Sequence, residues 1–180
     1  MKRYFAITTG LMLLLSVAAF GQLRLVPMKY SQIKLINGKK SVVVDLEDAL
    51  TGTNGTLPGN PPHKYRVLFR TQKDDFLYLV ANVQSRSPIS DPMAPCGGDS
   101  PQSILWIKAD KTLKTREFDS QIYASCSYNY YDSKVRLGKT RLKVKYGGEP
   151  EAWSFKIIEM SYDNRKPEWG LMRVFRNVIP

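Results

Sequence analysis

The segment from Ser133 to Tyr146 is the part of the chain whose residue types and spacing point most clearly to chemistry. It contains no acidic residue and six basic ones, which are Lys134, Arg136, Lys139, Arg141, Lys143 and Lys145. In the second half of this segment the basic residues alternate with Thr140, Leu142 and Val144. Because successive side chains of a strand point to opposite faces, we expect a strand with cations on one face and apolar residues beneath them.

Two interpretations of this basic face remain open. Clustered charge is commonly a solvated outer face, and lysines on edge strands also deter aggregation. A patch of one sign can also concentrate ligands of the opposite sign. In that case the partner is an anionic envelope polymer, a headgroup or an acidic protein, whereas the absence of a recognised motif disfavours nucleic acid. The anion-binding residues would then be Arg136, Lys139, Arg141, Lys143 and Lys145.

Patterns that could belong to a hydrolase are incomplete. Gly98-Asp99-Ser100-Pro101 resembles the nucleophile block of a serine esterase family. A nucleophilic serine needs a base within hydrogen-bond reach, and the single histidine, His63, lies upstream in a loop rich in glycine and proline. We therefore interpret His63 as a solvated loop imidazole.

A second pattern lies between Glu117 and Gln121. Its sequence Glu-Phe-Asp-Ser-Gln resembles the Glu-x-Asp-x-Glu strand of a β-sandwich glycoside hydrolase family, with Gln121 in place of the second glutamate. Retaining glycoside hydrolysis needs a carboxylic acid as proton donor, and an amide cannot supply that proton. A solvated strand face is the favoured interpretation, and no catalytic residue is assigned.

Metal and cofactor motifs are also incomplete. One histidine and two cysteines cannot complete a four-ligand zinc site without carboxylates. Gly138-Lys139-Thr140 matches the end of a phosphate-binding loop, but Ser133 stands where that loop needs a glycine. We expect neither a metal nor a cofactor.

The N-terminus has the pattern of a secretory signal peptide. Lys2 and Arg3 precede a short apolar run, and Ala19-Phe20-Gly21 follows it with small residues before a cleavage point. The sequence predicts a signal peptide over 1–21, an exported protein that is periplasmic or secreted, and no transmembrane anchor after cleavage. A retained anchor is the alternative. Cleavage would lower the formal net charge of +11 by two, to +9, so the folded protein stays basic.

Cys96 and Cys126 are the two cysteines of the chain. In an oxidising compartment an even number of cysteines favours pairing, and the alternative is two unpaired buried thiols. The motifs around them are Pro95-Cys96-Gly97-Gly98, a strand that includes Trp106, and Ala124-Ser125-Cys126. This segment resembles a group of small exported bacterial proteins of unknown function. The resemblance covers about thirty residues, implies a Cys96–Cys126 bond, and brings no activity with it.

Alternation of polar and apolar residues predicts an all-β fold. The predicted hairpins join 32–36 to 41–46 through Asn37-Gly38, 64–71 to 76–84, and 103–109 to 115–128, and the remaining strands are 135–137, 141–146, 153–162 and 171–178. Residues 47–50 could form one helical turn. Successive hairpins predict a single domain over 22–180, built as an antiparallel meander, sandwich or barrel. Trp106 and Trp153 fall in apolar strands, whereas Trp169 is expected to be exposed.

These observations favour a non-enzymatic envelope or secreted protein that binds an anionic partner through its basic strand face. The alternative is a hydrolase of an extracellular polymer whose carboxylates the sequence does not identify. A cleft with two facing carboxylates and a raised pKa would favour the hydrolase.

Overall fold

A computed structural model describes residues 22–51, 62–85, 100–126, 130–147 and 155–178. Within these ranges the chain is all-β apart from a one-turn helix, α1, at Leu46–Leu50 and a 3-10 turn at Pro167–Trp169. The strands are β1 Arg24–Pro27, β2 Gln32–Asn37, β3 Lys40–Asp45, β4 Pro62–Lys73, β5 Phe76–Ser85, β6 Gln102–Asp110, β7 Arg116–Ala124, β8 Tyr131–Leu137, β9 Arg141–Gly147, β10 Phe155–Asp163 and β11 Met172–Val178.

The strands form three antiparallel sheets. The first sheet has the order β1-β2-β3, the central sheet β4-β5-β6-β7, and the third sheet β11-β10-β9-β8. The prediction of an all-β fold from successive hairpins is confirmed. None of the three sheets closes on itself in the described part of the chain, so the barrel alternative is wrong.

The central sheet is buried on both faces, which places the other two sheets on opposite sides of it. In β5, Leu77 and Leu79 belong to a hydrophobic cluster shared with the first sheet and α1. Tyr78 and Val80, which point the other way, belong to a cluster shared with the third sheet. A strand with two buried faces has a continuous apolar run rather than alternation, and this is the pattern of β5.

The first sheet contains the predicted hairpin and one strand that was not predicted. Gly38 has a φ of 59° in the turn between β2 and β3, a conformation that glycine adopts without steric cost. At the end of β3, Asp45 caps α1 because its Oδ1 accepts a hydrogen bond from the backbone nitrogen of Glu47 at 3.0 Å. β1 pairs with β2, and the sequence interpretation missed it.

The third sheet carries the predicted basic strand. In β9, Leu142, Val144 and Tyr146 are buried, whereas Arg141, Lys143 and Lys145 are exposed. The prediction of cations above packed apolar residues is therefore confirmed for this strand.

Several predictions fall outside the described residues. These are the signal peptide over 1–21, Cys96 and Trp153, together with the side chain of His63. Cys126 is described and is not a free cysteine. Because Cys96 lies outside the described residues, the Cys96–Cys126 pairing stays a prediction. Within the described ranges, no helix is long and apolar enough to cross a membrane.

Candidate functional site

The outer face of the third sheet carries two rows of like charge. Lys134 of β8 lies opposite Lys145 of β9, and Arg136 lies opposite Lys143. All four side chains are exposed. We call this set the basic sheet face, defined by Lys134, Arg136, Lys143 and Lys145.

Two described acidic residues, Asp132 of β8 and Glu159 of β10, lie beside the basic sheet face without forming an ion pair with it. Within the described residues, none of its four side chains forms an ion pair. Glu159 of β10 lies opposite Lys145, but its Oε2 is 3.7 Å from the NH2 nitrogen of Arg176. Like charges directly opposite each other on neighbouring strands destabilise a sheet, so this arrangement costs folding free energy.

Arg141 differs from the other predicted binding residues because it has a counter-ion. Its Nε donates to Asp163 Oδ2 at 3.0 Å, and the NH2 nitrogen of Arg165 lies 2.7 Å from the same oxygen. Hydrogen bonds from the Arg165 side chain and backbone, together with one from Arg141, hold the pKa of Asp163 well below its usual range. Asp163 therefore stays ionised and fixes two guanidinium groups at one end of the basic sheet face.

Lys139 lies outside the strand on which it was expected. β9 begins at Arg141, and the backbone nitrogen of Gly138 donates to the carbonyl of Arg141 at 2.8 Å to close the turn between β8 and β9. The expectation that Lys139 continues the cationic row of β9 is therefore wrong, because the hairpin needs residues 138–140 for its turn. Lys139 is exposed beside the row rather than in it.

Three shallow depressions follow one another along this outer face. The first, about 470 Å³, includes Arg141, Lys143, Ser161 and Trp169 in its lining. The second, about 390 Å³, shares Lys143 and Ser161 with the first. The third, also about 390 Å³, shares Lys134, Arg136 and Lys145 with the second. The shared residues make the depressions one continuous trough, whose described lining contains eight basic and three acidic side chains.

Trp169 stands at the end of the trough and is 54% exposed, as the sequence predicted. The Nζ of Lys166 lies 3.9 Å from the centroid of its ring, within the range of a cation–π contact. We call the first depression, which these two residues and Arg141 help to line, the Trp169 pocket.

The turn that carries Trp169 is anchored at several points. Pro167 is buried, and its carbonyl accepts a hydrogen bond at 3.1 Å from the Nε1 of Trp106, which is itself buried. Glu168 forms an ion pair with Lys73 of β4, and this bond lowers the pKa of Glu168 and raises that of Lys73. These contacts hold the 3-10 turn against the central sheet.

Gly170 ends this turn in a conformation that other residues rarely adopt. Its φ of 64° and ψ of −149° lie in a region that is essentially restricted to glycine. A Cβ atom at this position would also lie 3.9 Å from the Trp106 ring. The contacts of the anchored turn fix where the Trp169 side chain emerges, and glycine lets the backbone turn there without steric cost.

The carboxylates of β7 are engaged in ion pairs rather than facing each other across a cleft. Asp119 Oδ1 lies 2.6 Å from the NH2 nitrogen of Arg173, and Glu117 pairs with Lys108. Gln121 accepts a hydrogen bond from Arg173 Nε at 2.8 Å. The shifted carboxyl pKa values, at Asp110, Asp163 and Glu168, all move downwards, which is opposite to the direction that a general acid needs.

No group of acidic, cysteine and histidine side chains that could hold a metal ion occurs within the described residues. Ser100 is described and exposed, but the side chain of His63 is not described. The pairing of these two residues is therefore not tested.

Sequence reasoning missed the contribution of four cations to the trough, which are Lys134, Lys156, Arg165 and Lys166. Lys134 was recognised as part of the basic run but not assigned to the binding surface, although its strand position relative to Arg136 was a usable signal. Arg165 and Lys166 reach the trough from the turn after β10. These two residues line the trough because β9 pairs with β10, and no local sequence pattern predicts that pairing.

Comparison with protein families, with curated proteins and with solved structures gave no match to this chain. The proposals below therefore depend on the geometry of the described residues and on the sequence.

Proposed function

We propose that this protein is an exported, non-enzymatic binding protein that holds a linear polyanion on the outer face of its third sheet. The proposal rests on two cross-strand pairs of like charge, Lys134 with Lys145 and Arg136 with Lys143. In the described part of the chain these four side chains form no ion pair. A bound polyanion would supply counter-ions for them.

Protection against aggregation explains only half of the basic sheet face. Lysine on an edge strand discourages pairing with another chain, and this reason applies to Lys134 and Arg136 because β8 is at the edge of the sheet. Lys143 and Lys145 lie on β9, which is paired on both sides. Edge protection therefore does not account for their charges, whereas attraction of an anion would.

The spacing of the cations favours an extended ligand. Side chains on one face of a strand recur about every 6.8 Å, and neighbouring strands lie about 4.8 Å apart. The three depressions continue along the same face. A linear polymer with an acid group on each unit can follow this trough and meet several cations, whereas a compact anion meets one or two.

A matched pair of triple variants tests the proposal. Arg136→Gln/Lys143→Gln/Lys145→Gln removes three charges from the third sheet, and Arg24→Gln/Lys39→Gln/Lys40→Gln removes the same charges from exposed positions of the first sheet and its hairpin turn. Both variants are purified after expression of the full chain. Binding to alginate and to polyglutamate is measured by isothermal titration calorimetry at several salt concentrations.

We expect the third-sheet variant to lose about tenfold in affinity, since exposed ion pairs contribute about 0.5 kcal/mol each and 1.4 kcal/mol is tenfold. Its affinity should also fall less steeply with salt, because fewer charges remain to be screened. The first-sheet variant should bind like the wild type. Equal losses in the two variants, or no salt dependence in the wild type, would show that the basic sheet face is not the binding surface.

Export is the second part of the proposal and rests on the N-terminal pattern. The mature chain should begin at Gln22 and contain a Cys96–Cys126 bond. Mass spectrometry of exported protein under non-reducing conditions measures both. An intact N-terminus would refute the cleavage, and two thiols that alkylate in the native protein would refute the bond.

A further inference from the structure

The Trp169 pocket adds a chemical feature that polyanion binding alone does not require. Its lining combines an exposed indole with the cations Arg141, Lys143 and Lys166 and with the hydroxyl of Ser161. Charge attraction needs only the cations. The part of the indole that Lys166 leaves uncovered offers a flat apolar surface, and the hydroxyl offers a neutral hydrogen-bonding group.

The anchoring of the 3-10 turn indicates that this exposure of Trp169 is built into the fold. A large apolar side chain is ordinarily stabilised by burial, yet the Trp169 side chain is 54% exposed. Its turn is nevertheless held by the Trp106–Pro167 hydrogen bond, by the Lys73–Glu168 ion pair and by the glycine-restricted conformation of Gly170. The two contacts hold the turn in place, and glycine allows its backbone to adopt this conformation without steric cost.

We propose that the Trp169 pocket binds one ring of an acidic polysaccharide, so that the polyanion held by the basic sheet face is a glycan. This inference rests on the proposed function. The apolar face of a pyranose ring lies against the exposed part of the indole, and Ser161 contacts a ring hydroxyl. The acid group of the same unit meets Lys166, whose Nζ is 3.9 Å from the centroid of the Trp169 ring.

The neighbouring cations define how the polymer continues. Lys143 lines both the Trp169 pocket and the next depression, so successive acid groups can pass from Trp169 towards Lys134 and Lys145. Asp163 remains ionised at the side of the pocket and holds Arg141 and Arg165 in place. The side chains of those two arginines therefore keep a fixed orientation, and Asp163 offsets part of their positive charge.

The experiment compares anionic polymers with and without sugar rings. The ring-containing probes are oligogalacturonate, alginate and chondroitin sulfate oligosaccharides, and the ring-free probes are polyglutamate and polyphosphate of matched charge. Single-stranded DNA is included because nucleic acid can also combine stacking with cations. Wild-type protein, Trp169→Ala, Trp169→Phe and Arg136→Gln/Lys143→Gln/Lys145→Gln are titrated with each probe.

We expect at least one acidic glycan to bind the wild type about tenfold more tightly than either ring-free polymer. Trp169→Ala should lower glycan affinity about tenfold and so remove that advantage, and it should weaken polyglutamate binding much less. Trp169→Phe should keep part of the advantage. The triple variant should weaken binding to all the anionic probes. Circular dichroism of the variants identifies any loss of fold, and the Phe variant keeps an aromatic ring at the site if the Ala variant unfolds.

A second readout does not depend on affinity. Bound glycan should shield the Trp169 indole from acrylamide, so quenching should decrease in the wild type and not in Trp169→Phe. Glycan affinity that is unchanged in Trp169→Ala, or Trp169-dependent binding that is tighter for DNA than for every glycan, would overturn the inference. If polyglutamate still bound through the basic sheet face, polyanion binding would remain supported although the glycan inference had failed. Failure of all probes to bind would overturn both.

Discussion

The first and third sheets cover opposite faces of the same central sheet, and they use their outward faces differently. Their inward faces are alike, since Leu35 of β2 and Leu142 of β9 are both fully buried. In the first sheet the outward row Val26–Lys34–Val43 places one lysine between two valines. In the third sheet the row through Lys134 and Lys145 places two lysines side by side.

This difference separates what the fold requires from what it permits. Burial against the central sheet needs apolar residues at alternate positions in both outer sheets, and both have them. Nothing in the packing needs cations opposite one another on the other face. The first sheet shows that the architecture forms without such pairs, and this contrast supports the proposal that the charges of the third sheet serve binding.

The largest expected effect tests whether the inward faces are equivalent. Leu35→Ala and Leu142→Ala should each lower the free energy of unfolding by about 2–5 kcal/mol, because each deletes a buried side chain and leaves a cavity. Urea denaturation followed by circular dichroism measures both. A negligible effect of Leu35→Ala would mean that the first sheet does not share the stability of the central sheet, and the comparison would fail.

A smaller effect concerns the hydrogen bonds that tie each outer region to the central sheet. Trp106→Phe should lower the free energy of unfolding by about 1–3 kcal/mol, because it shortens a buried side chain and removes its hydrogen bond to the Pro167 carbonyl, which then keeps only the 3.3 Å bond from the backbone nitrogen of Gly170. Asn37→Ser removes the 2.8 Å bond from Asn37 Nδ2 to the Lys111 carbonyl, which is exposed. Water can replace that bond, so thermal denaturation should show a smaller loss than for Trp106→Phe. The opposite order would contradict the anchoring of the Trp169 turn.

The smallest expected effect concerns repulsion between opposed cations. Lys143→Gln should raise the free energy of unfolding at low salt by about 0.2–1 kcal/mol, because it removes one of two opposed like charges and the neighbour on its other side, Ser161, is uncharged. Added sodium chloride should reduce that gain by screening the repulsion in the wild type. Lys34→Gln is the matched control, since Lys34 lies between valines. Equal shifts in the two variants would show that the opposed pairs carry no particular cost.

Local alternation was enough to predict the inward and outward faces of β9, because the backbone of a strand sends successive side chains to opposite faces. It could not show that Lys134 lies opposite Lys145, since that depends on the register of two strands. Arg165 and Lys166 were missed as lining residues of the trough for the same reason. Their approach to the trough requires β9 and β10 to pair and the following turn to fold against Trp106.

The arrangement in three sheets was also beyond local patterns. Hairpins between neighbouring strands were predictable from turn residues such as Asn37-Gly38, but the partner of each outer sheet depends on which hydrophobic faces meet. The continuous apolar run of β5 was a signal of burial on both faces that the sequence interpretation did not use. β1 was overlooked because four residues carry little periodicity.

Chemical-shift mapping tests the central claim most directly, because it reports both outer sheets in one titration. Protein labelled with nitrogen-15 and purified after expression of the full chain is titrated with alginate oligosaccharides at low and at high salt. We predict that amide shifts concentrate in β8, β9 and the turn that carries Trp169, diminish at high salt, and are nearly absent from β1, β2 and β3. Shifts of equal size in the first sheet, or no shift at Lys134, Lys143 and Lys145, would contradict this prediction.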